Sequence, residues 1–196
     1  MLAALKAHPS TTAIVYEGTP VDFNVWGQEG LFPYALDKHG LPVRDAGSPD
    51  ALETMRLPSA LLLTWDAADH KLLTDTYPAD GHAISQVDFA QSNPIWQLKD
   101  GWKGLSAGCR SIAASARITL REPKDDSDLA LRVNPRPGQI VRVSSAGEVI
   151  GEYRFTKSGV QTVSSPVSSL QEAVKEFEIA ADPPGIPICA CGFVNH

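Results

Sequence analysis

Between Asp128 and Phe155 apolar and polar residues alternate in three short runs separated by turn residues. Leu129, Leu131 and Val133 alternate with Ala130, Arg132 and Asn134 before Pro135, Pro137 and Gly138 interrupt them. Val141 and Val143 resume the pattern, and Ala146-Gly147 turns it again. Val149, Gly151, Tyr153 and Phe155 then share one face of a third run, opposite Glu152 and Arg154. A period of two is the period of a strand, so the stretch predicts a three-stranded β-meander with Val141, Val143 and Tyr153 facing inward.

The same reading extends this pattern through the second half. Trp102 to Leu105, Ser111 to Leu120, Val160 to Val163, Val174 to Ile179 (with Phe177 inward) and Ile186 to Val194 bring the set to about eight short strands. Turn signals lie between them, and the Ser-rich VSSPVSS is expected to be a loop. Residues 100–196 are therefore expected to form an antiparallel β-sandwich.

The first half reads differently. Thr12 to Tyr16 is a short β-branched strand, and Asn24 to Lys38 has near-helical apolar spacing broken at Pro33 and closed by Gly40. Ser48-Pro49-Asp50 predicts a second helix through Met55, with Ser48 as the cap and Pro49 in the first helical position. Ala60 to Trp65 is continuously apolar, as in a strand buried on both faces, and Lys71 to Thr74 follows a turn at Asp66 to Asp69. Strand, helix, helix, strand predicts a small α/β layer over 1–99 with parallel neighbours, the boundary falling near Lys99. Ala83 to Phe89 is expected as one further strand before it.

Composition changes this picture in two ways. The net charge of -6 at pH 7 argues against nucleic acid as a partner, because phosphate binding needs a basic surface. The acids are uneven: Met1 to Lys99 holds 12 acidic and 6 basic residues, and the remainder holds 11 of each. No run approaches the roughly 18 apolar residues of a membrane span, and MLAALKAH is too short for a signal peptide. Cys109, Cys189 and Cys191 read as small core residues, with Cys189 and Cys191 on one strand face. A disulfide from Cys109 to one of that pair is the alternative.

Few residues carry chemistry. Asp66, Asp69 and His70, with Asp75, Asp80 and His82 beyond, are weak candidates for a divalent cation, and their residue types suit a turn better. Tyr16, Glu17 and Asp22 follow the first strand, where α/β sheets often bind ligands. Trp96, Trp102, Tyr77 and Tyr153 could stack on a sugar ring, although most of them also suit a core. Neither a nucleophile elbow nor a dinucleotide fingerprint occurs, and the sequence calls for no cofactor.

GW at the start of the second half, ARITL, VRVSSAGEVIGEYRF, VKEFEIA and IPICACGF together resemble the ancillary jelly-roll of bacterial membrane glycosyltransferases. AIVYEG, FNVWGQEGLFPYALDKHG and ALLLTWDAADHKLL resemble the soluble α/β region of those enzymes. The chain departs from that pattern at Ala146-Gly147 and at Cys189 and Cys191. The resemblance implies a galactose-binding-like sandwich in an extracytoplasmic or periplasmic setting. It implies a noncatalytic carbohydrate-recognition or scaffolding role, with a carbohydrate, a glycolipid or a membrane glycosyltransferase as partner. The alternative expectation is a freestanding hydrolytic or metal-dependent enzyme that uses the acidic first half.

Overall fold

The computed structural model describes residues 2–18, 40–78, 83–123, 127–167 and 173–195. The helix expected over Asn24 to Lys38, Asp22, Asp80 and His82 lie outside them. The fold is mostly β, and the chain divides into two compact units. One comprises Met1–Gly81 with Ser92–Trp96, the other His82–Gln91 with Gln97–His196. The chain thus crosses between units three times.

In the first unit, β1 (Ala13–Glu17) lies between β2 (Val43–Asp45) and β3 (Ala60–Asp66), all parallel, and β4 (Lys71–Thr76) returns antiparallel to β3. The continuous apolar run of β3 follows from burial on both faces. Leu61 and Leu63 pack with Ile14, Tyr16 and Leu5 on one side. Leu62 and Ala60 pack with Val15, Ala51 and Met55 on the other. The described helices are short, α1 at Leu2–Ala7 and α2 at Ala51–Met55, so the α/β layer is thin. α2 also begins later than Ser48 and Pro49 predict. Its cap is Asp50, whose carboxylate pairs with Arg44 and makes no side-chain capping bond, while the Ser48 hydroxyl donates to the Asp45 carbonyl at 2.7 Å.

The second unit is a sandwich. One sheet runs β11 (Glu148–Arg154), β10 (Ile140–Ser145), β13 (Val174–Asp182), β8 (Ser115–Arg121). The other runs β12 (Gln161–Pro166), β9 (Ser127–Val133), β14 (Pro187–Asn195), β7 (Cys109–Ile112), β6 (Trp102–Ser106), with β5 (Gln86–Asp88) also pairing to β14. Inward-facing Val141, Val143, Phe177, Ile179 and Ile118 of the first sheet meet Leu129, Leu131, Val133, Ile188 and Phe193 of the second, all nearly fully buried. Outward positions of the first sheet carry ion pairs, Arg142 with Glu152 and Arg117 with Glu176.

Several expectations are corrected. Asp128 to Phe155 is not a meander, because β9 pairs with β12 and β14 whereas β10 pairs with β11 and β13. The Pro135-Arg136-Pro137-Gly138 break carries the chain from one sheet to the other. Gly138 takes a φ of 88° there, and prolines cannot extend a ladder. A bulge opposite Val143/Ser144 then shifts β11, so that Ile150 packs on the core while Val149 is 57% exposed. VSSP belongs to β12, an edge strand that tolerates its terminal proline. Residues 83–89 contribute only the short β5, which belongs to the sandwich.

The cysteine reading changes too. Cys109 and Cys189 form a disulfide, and Cys191 is free and buried. Pro187 pairs with Ser111 and Ile188 with Arg110, so the register brings Cys189 opposite Cys109. Against β9, Ile188 pairs with Val133 and Ala190 with Arg132, leaving Cys189 as the extra residue of a bulge. That extra residue breaks the period of two. Cys191 consequently joins Ile188 and Phe193 in the core, and burial pushes its thiol up to about 12.

Candidate functional site

Tyr77 follows the last residue of β4, and Trp96 ends the segment Ser92–Trp96 that returns to the first unit. Their rings meet edge to face with centroids 5.5 Å apart, and both pack against the cluster of Val15, Ala51, Met55 and Leu62. Both are half-buried. The Trp96 indole nitrogen is buried with no hydrogen-bond partner among the described residues.

Tyr77 also lines a depression of about 330 Å³ at the end of the sheet where β1 and β3 begin. His8, Ser10, Thr11, Ser59 and Thr76 supply its polar atoms, and Leu61 and Pro78 add apolar surface. The volume lies at the lower end of ordinary small-ligand sites, roughly 300–1,000 Å³. Thr11 is committed, since its hydroxyl donates to the His8 carbonyl at 2.7 Å. Ser10, Ser59 and Thr76 are exposed, and their side chains make no hydrogen bond to the described residues. Ser59 adopts φ 58°, a left-handed conformation uncommon for a residue with a Cβ.

Trp102 and Tyr153 lie in the second unit, each tied by its polar atom. The Trp102 indole N–H donates to the Arg117 carbonyl at 2.7 Å, and its ring lies 5.5 Å from buried Phe89. The Tyr153 hydroxyl donates to the Ser164 carbonyl and bonds the Ser165 hydroxyl at 2.7 Å, joining β11 to β12. Gly151 leaves the space this requires, because a methyl group there would overlap the Ser165 and Tyr153 oxygens. Both aromatic rings pack against the sandwich core.

Asp66 is 2% exposed at the end of β3. Its Oδ1 accepts from the backbone N–H of Ala68 at 3.1 Å and of Asp69 at 3.4 Å, closing the turn into β4. Asp69 and His70 are exposed, His70 at φ 51° with its ring 6.4 Å from Trp65. Among the described residues no three His, Cys, Asp or Glu side chains gather as a metal site would require. Millimolar calcium, zinc or manganese is therefore expected to leave the melting temperature unchanged, since a ligand held only by the folded state must raise it. A rise that disappears in Asp66→Ala would show instead that this turn binds cations.

The other acids at this sheet serve its own backbone and side chains. Asp45 Oδ1 accepts from the Gly47 N–H at 2.8 Å. Asp75 accepts from the Ser92 hydroxyl and from the Asn93 N–H at 2.9 Å, and burial holds its carboxyl above the usual range against those two bonds. Asn93, fully buried, donates to Glu17 at 2.6 Å and to Thr64 at 2.8 Å. Ser92 and Asn93 thus fasten the returning segment to β1, β3 and β4. The sequence gives no sign of this, because neither residue lies within any periodic run.

A second depression, of about 490 Å³, lies on the outer face of the sandwich sheet that contains β8, β10 and β13, between Arg117, Ser144, Gly147, Val174 and Glu178. None of the four aromatic candidates lines it.

No family model matches the chain, and no curated protein matches it. Among solved structures, the module CsCBM6-3 of Clostridium stercorarium in complex with cellobiose is 14% identical, with TM-score 0.38, over 58% of this chain and 95% of that one. The carbohydrate-binding module CBM36 in complex with calcium and xylotriose is 16% identical, with TM-score 0.38, over 57% of this chain and 100% of that one. The insecticidal crystal protein Cry2Aa is 14% identical, with TM-score 0.39, over 56% of this chain and 21% of its own length. These neighbours include carbohydrate-binding modules with β-sandwich folds. The likenesses are distant, and the sandwich rests on its own strand order and register.

Proposed function

We propose that the chain is a noncatalytic carbohydrate-recognition unit whose ligand rests against Tyr77. The observation that carries this reading is the meeting, in one depression, of Tyr77 with Ser10, Ser59 and Thr76, whose hydroxyls bond no other described residue. A sugar ring presents a C–H face that packs on an aromatic ring and hydroxyls that exchange hydrogen bonds with side-chain hydroxyls. The aromatic contact adds about 0.5–1.5 kcal/mol beyond burial, so a shallow site of this kind binds near millimolar, about 4 kcal/mol in all.

The setting we propose is extracytoplasmic, within a cell-envelope glycosyltransferase system. The Cys109–Cys189 disulfide supports an oxidising compartment, and the sequence resemblance supports the enzyme system. Among the described residues no helix is long and apolar enough to cross a membrane. Asp45, Asp66 and Asp75 are engaged by turn and segment backbone, which favours recognition over acid–base chemistry in this half.

Trp96 supplies the readout, since its ring touches Tyr77. Titration with neutral envelope oligosaccharides is expected to change tryptophan emission slightly and saturably. Tyr77→Ala should abolish the change and Trp102→Ala should retain it. Loss in Trp102→Ala with retention in Tyr77→Ala would move the platform to the sandwich, and flat titrations would leave only the scaffolding role.

A further inference from the structure

We infer that the Tyr77 depression selects an uncharged sugar and rejects acidic and amino sugars, an inference that rests on the carbohydrate reading above. The lining of the depression supports it for both kinds of charge, and the distribution of charge between the units supports it for acidic sugars.

Among the described residues no carboxylate, ammonium or guanidinium lines the depression; the side-chain polar groups there are hydroxyls and one imidazole, that of His8. A charged sugar substituent entering it would lose water without gaining a charged partner, and charge-assisted hydrogen bonds are the ones that offset such desolvation. Neutral hydroxyls lose less on entry and recover it from Ser10, Ser59 and Thr76.

The net charge adds discrimination at longer range. Met1–Gly81 and Ser92–Trp96 together hold 11 acidic and 5 basic residues, whereas the other unit holds 12 of each. The whole net charge of -6 therefore belongs to the unit that carries the depression. Its field opposes the approach of an anionic saccharide over distances of the Debye length, about 10 Å at 0.1 M salt. A cationic sugar is drawn toward the unit but finds, among the described residues, no carboxylate inside the depression.

Ser59 provides a substitution that separates binding from folding. It holds a left-handed backbone conformation, φ 58°, where the strands start: its carbonyl accepts from the Thr12 N–H at 3.4 Å, and Thr12 Oγ1 donates to the Pro58 carbonyl. Glycine suits that conformation better than serine does. Ser59→Gly therefore keeps the fold while deleting one hydroxyl from the wall.

The test uses the full chain with methyl glucoside and methyl glucuronide at pH 8, where an ordinary imidazole is neutral, and with methyl glucoside and methyl glucosaminide at pH 6.5, where the sugar amine is charged, followed by tryptophan emission at low and at high sodium chloride. The glucoside is expected to bind with an affinity that salt does not change. The glucuronide and the glucosaminide are expected to bind at least several-fold more weakly at low salt. Ser59→Gly should weaken glucoside binding about three- to tenfold, the range of one neutral hydrogen bond, with no fall in melting temperature. A charged sugar binding as tightly as the glucoside, with binding abolished by Tyr77→Ala, would overturn the charge selectivity and leave the carbohydrate reading standing. Absence of binding by all three would overturn both. Glucoside binding that survives both Tyr77→Ala and Ser59→Gly would place the site elsewhere and overturn the inference.

Discussion

Replacing Cys189 with alanine, or reducing the wild-type chain, is expected to lower the stability of the sandwich by about 4 kcal/mol. The Cys109–Cys189 bond closes a loop spanning 80 residues of sequence. In the chain-entropy model, a cross-link of that span removes about 4.5 kcal/mol of freedom from the unfolded state. The bond joins β7 and β14 where their register already places the residues opposite each other. For a unit of about 110 residues, a loss of this size corresponds to a fall of roughly 15–20 °C in melting temperature. Thermal unfolding with and without reductant measures it. Cys189→Ala, which has no disulfide to lose, should not respond to reductant. A shift of only one or two degrees in the wild-type chain would show that the bond contributes little.

The outcome at these cysteines illustrates how far local pattern reaches. Alternation identified the inward positions Val141, Val143 and Phe177 because each strand has one face toward the core and one toward water. It could not say which strands pair. The meander reading assumed that consecutive strands are neighbours, but the segment Pro135–Gly138 carries the chain across the sandwich, and β9 finds β12 and β14 instead. Bulges defeat alternation in another way. One extra residue at Cys189 and another at Ile150 reverse the faces beyond them, and nothing in either local run marks the insertion. The excursion of Ser92–Trp96 was equally hidden, because buried Asn93 holds it by hydrogen bonds to residues 29 and 76 positions away in sequence.

The candidate site was legible in part. Aromatic residue type pointed to Tyr77, Trp96, Trp102 and Tyr153 without distinguishing among them. The structure brings Tyr77 and Trp96 into contact and ties the polar atoms of Trp102 and Tyr153 to backbone carbonyls. The hydroxyls near Tyr77 come from three separate stretches of chain, at Ser10 and Thr11, at Ser59 and at Thr76. Serine and threonine are too common for such a set to stand out in sequence. Only the left-handed backbone at Ser59 distinguishes one of them, and that is a property of the fold.

Val143→Asp is expected to destabilise the sandwich by more than about 4 kcal/mol, whereas Arg142→Ala, one residue earlier, should cost no more than about 1 kcal/mol. Val143 is 1% exposed on β10, pairing with Ile179 of β13 and Gly151 of β11. Arg142 points to the other face, half-exposed, and pairs with Glu152 at 2.6 Å. A carboxylate at position 143 would be buried among the core side chains without a cation, losing its hydration with no replacement. A domain of about 110 residues has roughly 5–15 kcal/mol in total, so the variant would be marginal at neutral pH. The same cause fixes the sign of its pH response. Burial would raise the folded-state pKa of the new carboxyl above its unfolded value of about 3.9. The folded state then binds the proton more tightly, so stability is highest below about pH 4 and falls as pH rises through the folded pKa. The penalty of Val143→Asp relative to wild type should therefore shrink on acidification, while Val143→Thr, which buries a hydroxyl and no charge, should show a penalty independent of pH. Denaturant midpoints of the three proteins across pH 3.5–7.5 measure this. A Val143→Asp protein as stable as wild type at neutral pH would show that the β10 side chain at 143 does not face a closed core.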